Sequence, residues 1–200
     1  AAASRGPFRS WPDAAGAGPR PDAPPSRRTG RGGVPARSYD RLMSLTSARA
    51  QLAAHGLADR VTDFDVSSAT VDLAAAALGC PPERIAKTLA FDVDGAPVLI
   101  VFAGDARIDN RAFKDRFGTK ARMIAGDRVE ALVGHAPGGV CPFGVHDGVP
   151  VHLDASLRRF DVVYPAAGSG SSAVRLTLDE LETASDAAGW VDVGRHADAP

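Results

Sequence analysis

The sequence predicts a mixed α/β fold of the α+β type: one compact domain whose sheet is mixed, largely antiparallel and flanked by helices. Two apolar segments, 86–93 and 97–103, are predicted strands, and the Asp94-Gly95 pair between them is typical of a two-residue hairpin turn. Later strands are also often linked by short turns, whereas a doubly wound parallel sheet needs regular crossover helices. Hydrophobic residues make up 44% of the chain, which suits a globular core.

Periodicity and capping residues predict the helices. Residues 46–55 have one apolar face and stop at a glycine. Thr70 can cap a short helix that ends at Leu78, and Thr177 with Glu180 forms a capping box that opens the last helix. Further helices are expected at 109–117 and 127–133, and extended segments at 121–125, 149–153, 161–166, 173–177 and, as an edge strand, 190–193.

Composition divides the chain into a leader (1–42), a domain (43–195) and a short tail (196–200). The leader contains seven Pro, six Gly and eight Arg, with a net charge of +5 and almost no apolar periodicity. Such a segment cannot bury enough apolar surface to offset the entropy lost on ordering, so we expect it to be disordered. A transit peptide, an RNA-contacting arm and a chain start at Met43 are the alternatives.

Several function classes are disfavoured by composition. Outside the leader the net charge is −6, which argues against a globally basic nucleic-acid binder. No segment has the roughly 18 apolar residues of a membrane span. The two cysteines form no disulfide framework, so a reducing, cytoplasmic compartment is expected. His135, His146 and His152 lie near Cys141 in the sequence but match no familiar zinc spacing, and we predict neither a metal nor a cofactor.

Two glycine-rich segments are predicted to form rigid binding loops. The first, residues 134–144, has four glycines and two prolines among eleven residues, and the second spans 166–172. Glycine allows close backbone approach and proline fixes φ, so backbone N–H groups in such loops can face a ligand. Lys87 precedes an apolar run, and on a half-buried strand its side chain is expected to face solvent. Cys141 is either a nucleophile beside a histidine or, more simply, a small residue that fills a tight loop.

These segments resemble the YbaK/ProX family of trans-editing aminoacyl-tRNA deacylases, relatives of the editing domain of prolyl-tRNA synthetase. Lys87 in Lys87-Thr88-Leu89 matches a family lysine, and residues 138–142 match the family's Gly-x-x-x-Pro motif. Asp154, the Ala167-Gly168 pair and a leucine-rich helix follow in the family's order. The resemblance covers about residues 45–190.

The resemblance implies hydrolysis, in trans, of the ester bond of mischarged aminoacyl-tRNA, with aminoacyl-tRNA as the partner and a synthetase as a further one. It implies catalytic roles for Lys87, Gly138 and Gly139, the glycines supplying an oxyanion hole. Substrate contacts are implied at Thr88, Val140, Cys141, Pro142, Phe143, Gly144, Asp154, Ala167, Gly168 and Ser169. The second loop lacks the Ser-Gly-Gly-Lys-Arg-Gly-Leu-Asp run of cysteinyl-tRNA deacylases, which favours a small amino acid such as alanine or serine.

One local signal for nucleic-acid binding is a net charge of +4 over residues 107–128. We expect Arg111, Lys114, Arg116 and Lys120 to meet tRNA phosphates, although a solvated helix face explains the same charges. Two other function classes remain open from the sequence. One is a non-catalytic relative that binds aminoacyl-tRNA or a synthetase, and the other is a small-molecule or phosphate-binding module that uses the two glycine loops.

Overall fold

A computed structural model describes residues 36–195, with side chains described from Ser44. The helices are α1 (Ala36–Ala54), α2 (Val71–Leu78), α3 (Asn110–Phe117), α4 (Gly126–Val133) and α5 (Leu178–Ala184). The strands are β1 (Val61–Asp63), β2 (Ile85–Val93), β3 (Ala96–Ala103), β4 (Arg107–Ile108), β5 (Val151–Asp154), β6 (Val162–Pro165), β7 (Ser172–Val174), β8 (Leu176–Thr177), β9 (Gly189–Val191) and β10 (Gly194–Arg195). Short 3₁₀ helices lie at Ala58–Arg60, Pro82–Arg84 and Ala155–Arg159.

A six-stranded sheet in the order β8-β6-β2-β3-β5-β9 organises these elements. The β2–β3 hairpin closes at Asp94-Gly95 as predicted, and β6 and β8 also pair antiparallel. The other three neighbouring pairs are parallel. The predicted mixed α/β class is confirmed, with more parallel pairing than expected because β5, β6 and β9 each return to the sheet through longer connections. Two small antiparallel pairs, β1–β7 and β4–β10, lie outside this sheet.

The core lies between the sheet and the helices that cover it. β3 is central, and its residues from Val98 to Ala103 are all buried. Phe91 of β2 contacts Phe102 of β3 edge to face and Phe113 of α3, with ring centroids 6.3 and 5.0 Å apart. These aromatic contacts fix α3 across the sheet. A smaller apolar cluster joins α2 to the start of β2 through Ala74, Ala75 and Ile85.

Most predicted elements occur within a few residues of their expected bounds, with three differences. Helix α1 begins at Ala36, ten residues before the predicted start and inside the predicted leader. Residues 121–125 do not form a strand of their own, although Met123 makes an isolated antiparallel bridge to Phe91. The predicted strand 173–177 is divided into β7 and β8. The rest of the leader, residues 1–35, and the tail 196–200 lie outside the described residues.

Candidate functional site

A cavity of about 460 Å³ opens beside the first half of β2. Its wall is mostly apolar and built from small side chains, and Lys87 is its one charged lining residue among those described. Other elements that reach it are the start of α2, the segment before α4, the first glycine-rich loop and the segment from β6 to β7. The lining residues include Ala69, Thr70, Val71, Ala86, Lys87, Thr88, Leu89, Met123, Val129, Gly138, Val140, Tyr164, Ala166, Ser172 and Ala173.

Lys87 lies at one side of this cavity and is half-buried, which differs from the solvent-facing side chain expected from sequence. Its Nζ donates hydrogen bonds to the carbonyl oxygens of Gly104 and Ala106, at 2.8 and 2.6 Å. Burial lowers the pKa of the Lys87 ammonium, while nearby Asp105 raises it. Because an ammonium has three N–H donors, one donor remains for a bound ligand.

The cavity occupies a gap in the strand pairing of β2. On the side away from β3, Ala86 pairs with β6, and farther along the strand Ala90 and Asp92 bond to the segment before α4. Ile124 N–H donates to the Ala90 carbonyl at 2.9 Å, and Asp92 N–H donates to the Arg122 carbonyl at 2.8 Å. The strand between these two partners is left without a neighbour on this side.

Thr88 is the residue whose backbone faces that gap. Backbone polar groups of a strand alternate between its two neighbours, and Val93 with Ala96 closes the two-residue hairpin as a hydrogen-bonded pair. The odd-numbered residues of β2 therefore bond to β3, and the even-numbered ones face away. Within the described residues the N–H, carbonyl oxygen and buried Oγ1 of Thr88 have no hydrogen-bond partner. A donor and an acceptor thus remain free at the cavity wall.

The first glycine-rich loop forms another part of the wall. Gly138 and Val140 line the cavity, and in the described part of the chain neither N–H group donates to a protein acceptor. Gly139 does not line the cavity, and its N–H donates to the Ala136 carbonyl at 3.0 Å. A Cβ on Gly139 would lie 3.0 Å from the Cα of Ser169, so the two glycine-rich loops touch backbone to backbone. Gly138 and Val140 are therefore the residues of this loop that can offer N–H groups to a ligand.

Helix α1 supports both loops through a row of polar residues that sequence reasoning missed. The Oγ of Ser44 donates to the Gly168 carbonyl at 3.0 Å, and the Oγ of Ser47 donates to the Gly144 carbonyl at 3.1 Å. The Gly144 N–H donates to Oε1 of Gln51 at 2.6 Å. The spacing i, i+3, i+7 places these side chains on one helix face, beside buried Ala48. That spacing is the signal in the sequence that could have identified them.

Glycine is required where the second loop meets α1. Gly168 has a φ of +93°, and a Cβ there would lie 2.8 Å from both the Cα of Leu45 and the carbonyl oxygen of Ser44. Both the left-handed backbone and this close approach exclude larger residues. Gly168 therefore packs against the helix rather than against the cavity.

His135 and Cys141 belong to a buried polar cluster and not to the cavity. His135 is fully buried, with Nδ1 2.5 Å from the Ser44 Oγ and Nε2 2.8 Å from the Phe143 carbonyl oxygen. Burial lowers the pKa of His135 and raises the pKa of the Cys141 thiol to about 12. The His135 Nε2 lies 3.6 Å from the Cys141 Sγ, so a histidine does stand beside this cysteine, but the thiol donates to the Phe143 carbonyl oxygen at 3.3 Å. Cys141 is thus a protonated thiol inside the loop's packing and is unsuited to act as a nucleophile.

Of the sequence-predicted site residues, Lys87, Thr88, Gly138 and Val140 line one cavity, whereas the others lie outside its wall. The members outside it are Gly139, Cys141, Pro142, Phe143, Gly144, Asp154, Ala167, Gly168 and Ser169. Asp154 is fully buried and accepts backbone N–H bonds from Ser156, Val193 and Gly194, each at 2.9 Å, so it fixes the end of β5 to β10. Ser169 contacts the wall from outside, because its Oγ donates to the Oγ of lining residue Ser172 at 2.8 Å.

The predicted tRNA-contacting residues lie on the surface of α3 and just after it. Arg111, Lys114, Arg116 and Lys120 are all exposed. Among the described residues no three His, Cys, Asp or Glu side chains converge in a way that could hold a metal ion. No helix in the same part of the chain is both long and apolar enough to cross a lipid bilayer.

Comparisons with known proteins agree on one family. The family model of the aminoacyl-tRNA editing domain matches residues 65–184. The Bacillus subtilis protein YwhH, described as uncharacterized, is 47% identical over 152 residues, which cover 76% of this chain and 97% of that protein. Proline–tRNA ligase from Shouchella clausii is 33% identical over 109 residues, 54% of this chain and 19% of the ligase. The chain therefore spans about a fifth of the ligase's length.

A solved structure shares the fold over most of its length. The protein in that structure, described as a candidate trans-editing enzyme for prolyl-tRNA synthetase, superposes with a TM-score of 0.68. The two chains are 27% identical, and the match covers 76% of this chain and 97% of the other.

Proposed function

Because the chain belongs to the aminoacyl-tRNA editing domain family, we propose that it hydrolyses the ester bond of mischarged aminoacyl-tRNA in trans. The observation that carries this proposal is the cavity beside β2, which joins one ammonium group to free backbone donors and acceptors. Two similar proteins support action in trans, since this chain covers 97% of YwhH and 97% of the candidate trans-editing enzyme. Neither relative carries the additional length of a proline–tRNA ligase.

The cavity favours a small side chain on the amino acid, with alanine and serine as the proposed substrates. Alanine is the commonest residue type in the wall, at Ala69, Ala74, Ala86, Ala90, Ala166 and Ala173, and no described lining residue carries a carboxylate. A charged amino-acid side chain would lose its hydration there without gaining a partner of opposite charge. A volume of about 460 Å³ also leaves room for part of the terminal adenosine that bears the ester.

The free polar groups suit the two ends of an aminoacyl ester. The carbonyl oxygen of Thr88 accepts a hydrogen bond from the substrate's α-ammonium group. The N–H groups of Gly138 and Val140, with the third N–H of Lys87, stabilise the oxyanion that forms when water attacks the ester carbon. The ester C–O bond then breaks, and the ribose hydroxyl leaves with a proton from the attacking water. Water is the nucleophile in this mechanism because the Cys141 thiol is buried and its pKa is raised to about 12.

The exposed cations on α3 and just after it are proposed to approach the tRNA backbone. Arg111, Lys114, Arg116 and Lys120 present four positive charges on one exposed stretch of chain. Phosphate contacts of this kind hold a nucleic acid without reading its sequence.

A deacylation panel tests the proposed function. Alanine, serine, cysteine and threonine are attached to tRNAs for proline, alanine and threonine, and release of the free amino acid is followed over time. We expect rapid release of alanine or serine from at least one tRNA, and correctly charged prolyl-tRNA to remain intact. A protein that binds these tRNAs but releases no amino acid from any of them would contradict the proposal.

A second candidate function is binding of aminoacyl-tRNA without hydrolysis. It is favoured by one observation: no described residue that lines the cavity carries a carboxylate or an imidazole that could act as a general base. In the hydrolytic mechanism a group of the substrate itself must therefore act as the general base. Protection of the ester against spontaneous hydrolysis in the same panel would support the binding function.

A further inference from the structure

Two arginines face each other across the small ladder formed by β4 and β10. Arg107 and Arg195 are directly paired in this antiparallel register, and both side chains are exposed. Like charges in directly opposite positions destabilise a strand pair. Among the described residues neither arginine has a carboxylate within ion-pair distance. The ladder therefore places two positive charges side by side, and within the described residues neither forms an ion pair of its own.

Further charges around this ladder leave it positive. Arg111 is an exposed residue in the first turn of α3. Asp109 precedes this helix and lies within electrostatic range of both Arg111 and Arg195. The Asp109 carboxylate caps α3 by accepting N–H bonds from Arg111 and Ala112, at 2.8 and 2.9 Å. The Ala112 N–H is the main cause that lowers the pKa of Asp109, and Arg195 and Arg111 lower it further. One carboxylate thus faces two guanidinium groups, those of Arg111 and Arg195.

The positive ladder also adjoins the cavity. The Lys87 Nζ binds the carbonyl oxygen of Ala106 at 2.6 Å, and Arg107 is the next residue in the chain. Arg107 is close enough to lower the pKa of Lys87, after the larger effect of burial. Asp105, the acidic neighbour on this side, contacts the Arg159 guanidinium with both carboxylate oxygens. Arg107 therefore connects the exposed arginines of the ladder to the ammonium group at the cavity.

We propose that Arg107, Arg111 and Arg195 bind the phosphates of the single-stranded 3′ end of tRNA and guide it to the cavity. The identity of the RNA rests on the proposed function. The three guanidinium groups offer planar forks that match phosphate geometry. Arg107 directly follows Ala106, whose carbonyl oxygen binds the Lys87 Nζ, so phosphates held by these arginines lie close to the ammonium group at the cavity. It differs from the later cations of α3 because it adjoins the cavity.

The test uses an uncharged RNA hairpin with an unpaired 3′ CCA end and a fluorescent label, and it measures binding by anisotropy over a range of salt. The variant Arg107→Gln/Arg195→Gln is compared with Arg49→Gln/Arg60→Gln. The control removes the same charge, but from arginines paired with Asp63 and Glu180. We expect at least fivefold weaker binding for the first variant at 50 mM salt and less than a twofold change for the control. The slope of log Kd against log salt should fall by about 1.4 for two lost single-strand phosphate contacts.

Equal losses in the two variants, or an unchanged slope in the first, would overturn the proposal. Deacylation separates this surface from the proposed function. If the wild-type protein is active, the first variant should have a KM raised at least fivefold and a kcat within twofold of wild type. If the wild-type protein hydrolyses no charged tRNA but the hairpin result stands, the surface is supported and the hydrolytic function fails.

Discussion

Replacing Lys87 separates its contribution to stability from its contribution to turnover. In Lys87→Met the side chain keeps its length but loses both hydrogen bonds, to the Gly104 and Ala106 carbonyls at 2.8 and 2.6 Å. Hydrogen bonds from charged donors contribute about 1.5–3 kcal/mol each. The cost of burying the ammonium, which lowers its pKa, offsets part of that sum. We therefore expect the free energy of unfolding to fall by about 1–3 kcal/mol, within the range of ordinary core substitutions.

The same variant should lower kcat/KM for deacylation at least tenfold, which corresponds to about 1.4 kcal/mol of lost transition-state stabilisation. Urea unfolding followed by circular dichroism measures the first effect, and single-turnover release of amino acid measures the second. Lys87→Arg is the matched control, since it keeps the charge and should recover part of the stability. Full activity in a folded Lys87→Met protein would refute the catalytic role, and unchanged stability would show that the two hydrogen bonds make no net contribution.

Three further predictions follow from the cavity and the buried cluster. Thr88→Val removes an unpartnered buried hydroxyl at nearly constant side-chain shape, so the protein should be as stable or more stable in urea. Its kcat/KM for deacylation should fall about tenfold, because the hydroxyl faces the proposed substrate. Unchanged kinetics would exclude Thr88 Oγ1 from substrate binding. Cys141→Ser should keep the deacylation kcat within threefold of wild type. In the folded wild-type protein iodoacetamide should not label Cys141, because the pKa of its thiol is raised to about 12. Loss of all turnover in the folded variant would contradict water as the nucleophile. Burial lowers the pKa of His135 and His152 in the folded protein. As the pH falls, these histidines therefore take up protons in the unfolded chain before they do so in the folded one. The free energy of unfolding should consequently fall as the pH drops below about 6.5. His135→Asn should reduce this dependence, and an identical pH profile in the two proteins would assign the effect elsewhere.

Local chemistry made much of the fold predictable. The hairpin at Asp94-Gly95 is formed by two strands that are adjacent in the sequence and by the two-residue turn between them, so all its determinants lie within one short segment. Thr70 accepts a bond from the Leu73 N–H at the start of α2, and Thr177 with Glu180 forms the full capping box at α5, as the sequence predicts. Such interactions lie within a few residues of each other, so a single sequence contains all their partners.

The site was only partly predictable because its geometry depends on distant partners. The gap at Thr88 arises where β6 stops pairing with β2 and the segment before α4 begins, which no local pattern shows. Cys141 shares a glycine-rich loop with Gly138 and Val140, but its side chain turns to the core. The composition of that loop predicts rigidity without indicating which residues face outward. The support from α1 depends on Ser44, which lies before the predicted helix 46–55, and on loop carbonyl groups about 100 residues away in the chain.

The direct backbone contact between the two glycine-rich loops couples the position of one loop to that of the other. Gly139 lies against Ser169, and a Cβ on Gly170 would lie 3.2 Å from the Gly138 carbonyl oxygen. A substitution that moves one loop to admit a larger amino acid therefore also moves the other, because their backbones are in direct contact. Changes of amino-acid preference along this lineage should consequently appear as paired substitutions, one in each loop, whose individual effects do not add.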